Sequence, residues 1–120
     1  MIEKRSGRGL IHLTQALAWS LAGLRSALAN EEAFRLELVL CLFLVPLAIW
    51  LGNDGLSRSL LIGSLFIVLI VELLNTAVET VVDRFGNEWH TLSGRAKNLG
   101  SAAVLLSLVN AAIVWLFVLF

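Results

Sequence analysis

Residues 57–83 read SRSLLIGSLFIVLIVELLNTAVETVVD, and this stretch decides the fold. Its first part, the run 60–71, carries no charge and is apolar enough for a bilayer interior. Its second part places Glu72, Asn75, Glu79 and Asp83 at spacings of three, four and four. On an α-helix those positions share one face within about 80°. The pattern predicts one long helix that leaves the hydrocarbon while presenting a polar stripe. Glu72 follows the apolar run directly, where an ionisable group is costly and marks a functional site by default. The structural alternative is a carboxyl held neutral, or paired with Arg84 or Arg95 of a neighbour.

Working outward, residues 38–53 and 99–120 are also free of charge. With 58% hydrophobic residues and a mean hydropathy of +0.87, a water-soluble domain is excluded. The expectation is a single all-α membrane domain over residues 1–120, with spans at about 36–52, 57–83 and 99–120. Pro46 inside the first span predicts a kink. That span is short for a bilayer of ~30 Å, which needs about 20 residues. Gly52-Asn53-Asp54-Gly55 is a turn signal, and a polar loop is expected from Gly86 to about Lys97.

Ahead of the spans, residues 1–9 read as a loose basic tail and 10–30 as an amphipathic surface helix. Leu10, Leu13, Leu17, Leu21, Leu24 and Leu28 form one stripe, with His12, Gln15, Trp19, Ser26 and Asn30 opposite. The stripe suits the membrane surface or packing on the protein's own helices, and the two are compatible. Ala27-Leu28-Ala29 mimics a secretory cleavage site, but His12, Thr14, Gln15 and Arg25 interrupt the apolar core such a signal needs. The segment therefore reads as a retained helix.

Nine basic residues balance nine acidic ones, so net charge offers nothing to nucleic acid. The distribution of lysine and arginine is lopsided. Eight of the nine lie on the amino-terminal side or in the second loop, and only Arg58 lies in the first loop. The amino terminus and the 84–98 loop are accordingly expected in the cytoplasm. Ala103, Ser107 and Ala111 recur every four residues on the third span, a small-residue seam that suggests self-association, and Asn110 wants a partner in lipid. Cys41, alone in an apolar run, reads as a small hydrophobe.

Glu31 falls where continuation of the leucine stripe calls for an apolar residue, so its side chain is expected toward protein or lipid. The alternative is an ion pair with Arg35 one turn on. Glu31 and Glu79 both belong at the cytoplasmic boundary and could supply oxygen ligands to Mg²⁺. Nucleotide-binding glycine loops, a nucleophile elbow and a zinc set are all missing. The residues alone leave open phosphoryl transfer, proton-coupled transport or ion passage by an oligomer.

The segment Val71-Glu72-Leu73-Leu74-Asn75-Thr76-Ala77-Val78-Glu79 with Val82-Asp83-Arg84 resembles the signature of the prokaryotic diacylglycerol kinases. Asn30-Glu31, Ala33-Phe34-Arg35 and Glu37 resemble it too, as does Glu88-Trp89-His90 through Ser93-Gly94-Arg95-Ala96-Lys97 to Gly100-Ser101. The resemblance runs in order through nearly the whole chain. It implies a homotrimeric helical bundle in the bacterial inner membrane that moves the γ-phosphate of MgATP to diacylglycerol, giving phosphatidic acid.

Carried across, Glu72 resembles the catalytic base, and Glu31 and Glu79 the metal ligands. His12, Trp19, Asn75, Glu88, Trp89, His90, Lys97 and Asn98 match nucleotide positions, together with Glu31 and Glu79. His12, Ser20, Leu21, Arg25, Ala33, Phe34, Glu37, Trp50, Arg58 and Ser101 match lipid-substrate positions beside Glu72. Asp83 matches a supporting polar position. Asn98 stands where aspartate is common, His12 where arginine is common, and Leu36 where glutamine is frequent. Undecaprenol kinase shares the Glu72 to Asp83 pattern, but Leu92-Ser93-Gly94-Arg95 sides with the diacylglycerol enzymes. A small channel or proton-relay subunit, with Glu72 titrating, is the alternative of another class.

Overall fold

The computed structural model describes residues 3–120, with side chains from residue 9 onward, and among these there is no strand. Four helices follow in order: α1 (Glu3–Asn30), α2 (Glu32–Leu51), α3 (Gly55–Asp83) and α4 (Thr91–Leu119). The chain divides into two units, α1 with Glu31 and then residues 32–120.

In the first unit the helix begins at Glu3, so the basic segment expected as a loose tail is helical from residue 3; Met1 and Ile2 lie outside the described residues. Serine and threonine hydroxyls are absorbed by the backbone one turn back: Thr14 Oγ1 donates to the Ile11 carbonyl (2.8 Å) and Ser20 Oγ to that of Ala16 (2.8 Å). All six stripe leucines are exposed. The helix closes where Asn30 Nδ2 donates to the Ser26 carbonyl at 3.0 Å and the Glu31 amide to that of Ala27 at 2.9 Å. Glu31 therefore stands in the break between α1 and α2, half-buried, and does not extend the leucine stripe as the periodicity suggested.

In the second unit α3 packs against α2 and against α4. α2 starts four residues earlier than hydropathy indicated, because Glu32 and Arg35 belong to the helix without being apolar. Its 20 residues reach about 30 Å at 1.5 Å per residue, the thickness of a hydrocarbon core, so the first span is not short. Helical structure continues through Pro46. α2, α3 and α4 are each long and apolar enough to cross a membrane.

The inward faces follow helical periodicity. α2 buries Phe34, Cys41 and Ala48, seven apart, and α3 buries Leu61, Ser64, Leu65, Val68 and Glu72. Leu61 is the largest side chain sealed completely, worth roughly 1.5–3 kcal/mol of transfer free energy in a water-referenced core. The buried hydroxyls of Ser64 and Ser107 donate to the carbonyls of Leu61 and Val104 at 2.8 and 2.7 Å. Trp115 Nε1 crosses from α4 to the Leu61 carbonyl at 3.2 Å. Ser107 is buried and Ala111 half-buried within this chain, while Ala103 is exposed. The expected small-residue seam is thus split, and part of it packs within this chain.

The α2–α3 connection is held by side chains. Asp54 caps α3 by accepting from the Ser57 amide at 2.8 Å, and that hydrogen bond holds its carboxyl below the usual aspartate range. Arg58 Nε donates to the Ile49 carbonyl at 3.0 Å, covering an acceptor in the last turn of α2. Gly52 is buried, and any Cβ there would meet Arg58 Cγ at 2.6 Å and the Ala48 oxygen at 2.9 Å.

The largest departure from the sequence reading is α4, which begins at Thr91 and not near 99. His90 caps it, with Nδ1 accepting from the Leu92 amide at 3.1 Å. Residues 91–97, expected in the loop, are helical, and Lys97 and Asn98 sit on a rigid element. The remaining connection is short and turns at Gly86, whose φ of 105° suits glycine.

Candidate active site

The polar ladder of α3 climbs from inside to outside as its spacing required. Glu72 is buried, Asn75 and Glu79 are half-buried, and Asp83 is exposed. Eleven residues separate Glu72 from Asp83, about 16 Å along the axis. Among the described residues Glu72 forms no ion pair with Arg84, Arg95 or any other cation. What faces it is another acid. The Glu37 carboxyl of α2 lies within hydrogen-bonding reach of the Glu72 carboxyl, and its second oxygen, Oε2, is buried without a partner. The resemblance assigned Glu37 to lipid binding but did not reveal this pairing. A signal was available: Glu37 falls on the same inward stripe as Phe34, Cys41 and Ala48.

One turn above Glu72, Asn75 Nδ2 reaches Glu79 Oε1 at 3.4 Å, a long contact, while Asn75 Oδ1 is buried with no partner. That oxygen lies against Gly100 of α4, where an added Cβ would collide with it. A glycine at 100 is what lets the asparagine lie flat between the two helices. Nothing in the apolar pattern of α4 marked this role.

At the outer end of the ladder Lys97 Nζ bonds Asp83 Oδ1 at 2.7 Å, tying α4 to α3. Both side chains are substantially exposed, so the pair contributes little stability and its main effect is to aim the ammonium. Asp83, Glu88, Trp89, His90 and Lys97 line an open hollow of about 240 Å³. The Trp89 indole is largely exposed and leans over Gly94, where an added Cβ would touch the ring at 2.6 Å. A cation, an exposed aromatic face and backbone turns around Gly86 suit a nucleotide. Asn98 is exposed on the helix beyond Lys97 and does not line the hollow.

His12 and Trp19 meet edge to face on α1, ring centroids 6.4 Å apart, with Ser20, Leu21 and Arg25 on the same helix. Phe34 is buried on the stripe that holds Glu37, Ala33 and Ser101 are exposed, and Trp50 lies in the last turn of α2, where Arg58 of α3 donates to the Ile49 carbonyl. Thirteen residues, or roughly 20 Å, separate Glu37 from Trp50 along α2.

For a metal, no cluster of three or more acidic, histidine or cysteine side chains occurs among the described residues. Mg²⁺ commonly takes only one or two protein carboxylates and completes its shell with phosphate oxygens and water, so the hard oxygen of half-buried Glu79 is of a suitable kind.

The sequence model of the family described as prokaryotic diacylglycerol kinase matches residues 18–119. Among similar proteins, the diacylglycerol kinase of Escherichia coli (strain K12) is 50% identical over 111 residues, covering 92% of this chain and 91% of its own. That of Haemophilus influenzae is 51% identical over 112 residues (93% and 95%), and that of Pseudomonas aeruginosa 40% over 111 (92% and 90%). With a polar ladder rising from buried Glu72 on a helix long and apolar enough to span a membrane, and this similarity through almost its full length, the chain belongs to the prokaryotic diacylglycerol kinase family.

Proposed function

We propose that the protein transfers the γ-phosphate of ATP to the hydroxyl of diacylglycerol, making phosphatidic acid at the cytoplasmic face of a bacterial inner membrane. The observation that carries this reading is the ladder itself. A buried carboxyl, Glu72, follows directly on the uncharged run 60–71, and helical turns lead from it to a hollow with a lysine at its open end. A lipid acceptor stays in the bilayer and a nucleotide stays in water, so a kinase joining them needs this two-ended arrangement. Placing the ladder's outer end in the cytoplasm rests on the eight-to-one distribution of lysine and arginine.

In this mechanism Glu72 accepts the proton of the lipid hydroxyl. The hydroxyl oxygen forms a bond to the γ-phosphorus, the bond from that phosphorus to the β–γ bridging oxygen breaks, and ADP leaves. Lys97, held by Asp83, offers positive charge to the phosphates, and Trp89 with Glu88 and His90 gives the nucleotide a surface. Glu79 and Glu31 are the proposed Mg²⁺ ligands; when bound, the ion neutralises phosphate charge, the main need in phosphoryl transfer. Asn75 holds the turn between Glu72 and Glu79. His12 and Trp19 are proposed further nucleotide contacts. The assembly is proposed as the homotrimer that the resemblance implies.

The test is ATP-dependent phosphorylation of diacylglycerol by purified protein in mixed micelles with Mg²⁺, beside Glu72→Gln. Loss of about 10²–10⁴-fold in a variant that keeps its oligomeric state is expected for removal of a general base. Conversion of undecaprenol alone would reassign the lipid. Ion flux in liposomes with no lipid phosphorylation would replace the kinase by a relay.

A further inference from the structure

Two acids from neighbouring helices facing each other inside a membrane protein require an explanation of their own. Glu37 lies on the inward stripe of α2 and Glu72 on that of α3, both below the level where the ladder reaches water. Two carboxylates at hydrogen-bonding distance repel strongly in a medium that screens poorly, and neither could donate to the other. A single proton turns that repulsion into a charge-assisted hydrogen bond, among the stronger kinds available to a protein.

The surroundings supply no alternative. The groups facing Glu37 are Glu72 of α3 and Cys41 of its own helix, and neither brings positive charge. On α4 the residues at this level are Gly100, which packs on Asn75, and half-buried Val104; Lys97, further out, is engaged by Asp83. Glu37 Oε2 is buried with no hydrogen-bond partner. An unpartnered oxygen is far more tolerable on a neutral acid than on a buried carboxylate.

We propose that Glu37 is the positioning residue for the base: the Glu37–Glu72 pair holds one proton between its carboxyls, which pins one oxygen of Glu72 and leaves the other for the acceptor hydroxyl. This rests on the kinase reading for its consequence, but not for its existence. Glu37 touches the base and does not itself take the substrate's proton. Its role is to hold Glu72 in one rotamer and to keep the site at a single negative charge while a polyanionic co-substrate approaches.

The experiment uses the whole protein in lipid vesicles near neutral pH, with Glu37→Gln and Glu37→Ala. Gln keeps a hydrogen-bond donor without a titratable proton, and Ala removes both. The infrared difference between native protein and Glu37→Gln should show loss of a protonated carboxyl band. Loss of an ionised carboxylate band instead overturns the proposal, whatever the activity. In the kinase assay Glu37→Gln should keep kcat within a few-fold, while Glu37→Ala should lose roughly ten- to a hundredfold in kcat, the scale of a lost hydrogen bond to a charged group, with little change in KM for lipid. Equal impairment of both variants through KM alone would make Glu37 a lipid contact and refute the positioning role. A native protein inactive toward lipid that still shows the band would sink the kinase reading while the shared proton stood.

Discussion

Gly100→Ala tests the packing of the site at its tightest point. The added Cβ would collide with Asn75 Oδ1 and approach Asn75 Cγ at 3.2 Å, while the nearest backbone atom, Asn75 Cα, would be at an unstrained 3.9 Å. Relief therefore comes by turning the asparagine side chain, not by separating α3 from α4. Overpacking of this kind belongs at the lower end of its range, about 1 kcal/mol. Alanine in place of glycine inside a helix returns about the same amount, so the two terms nearly cancel. Thermal stability in detergent should stay close to native, within about 1 kcal/mol. Activity should not. The displaced amide leaves its place one turn above Glu72 and gives up its contact with Glu79, so kcat/KM should fall roughly tenfold or more, a loss of about 1.4 kcal/mol in the transition state. The assay is lipid phosphorylation alongside a melting curve, for Gly100→Ala, Asn75→Ala and the double variant. Because the alanine acts through Asn75, adding it to Asn75→Ala should cost almost nothing further, a clear departure from additivity. Native activity in Gly100→Ala, or additive losses in the double variant, would refute the argument.

Three further outcomes are expected. Gly52→Ala should destabilise by about 1–3 kcal/mol because its Cβ meets the backbone oxygen of Ala48 as well as Arg58, whereas Gly94→Ala meets only the movable tip of Trp89 and should leave the melting temperature unchanged while raising KM for ATP. Asp54 has a folded-state pKa below its unfolded value, so its stabilisation is present above about pH 4 and is lost as pH falls through the folded value; the stability gap between native protein and Asp54→Ala should close in acid, as followed by melting curves against pH. Trp115→Phe removes the indole donor to the Leu61 carbonyl and should lower stability by about 0.6–1.5 kcal/mol without altering KM for either substrate.

Much of this was legible in the residues alone. Long uncharged runs specify three spans, because a bilayer tolerates little else. The spacing of Glu72, Asn75, Glu79 and Asp83 specifies one helical face, because 3.6 residues make a turn. Helix ends were less legible. Hydropathy registers where the apolar stretch stops, not where the backbone stops being helical, so α2 lost Glu32 and Arg35 and α4 lost its first two turns. Glu31 looked like the next residue of a stripe, but periodicity cannot announce that the helix breaks at Asn30. Contacts between helices were not legible at all. That Glu37 meets Glu72, that Gly100 accommodates Asn75, that Asp83 aims Lys97 and that Ser107 turns inward depend on the rotation and depth at which α2 and α4 pack on α3. Sequence determined which faces are polar and how far along its helix each group sits. Tertiary packing decided which polar groups touch, because that depends on the summed shape of two helix surfaces, which no single helix encodes.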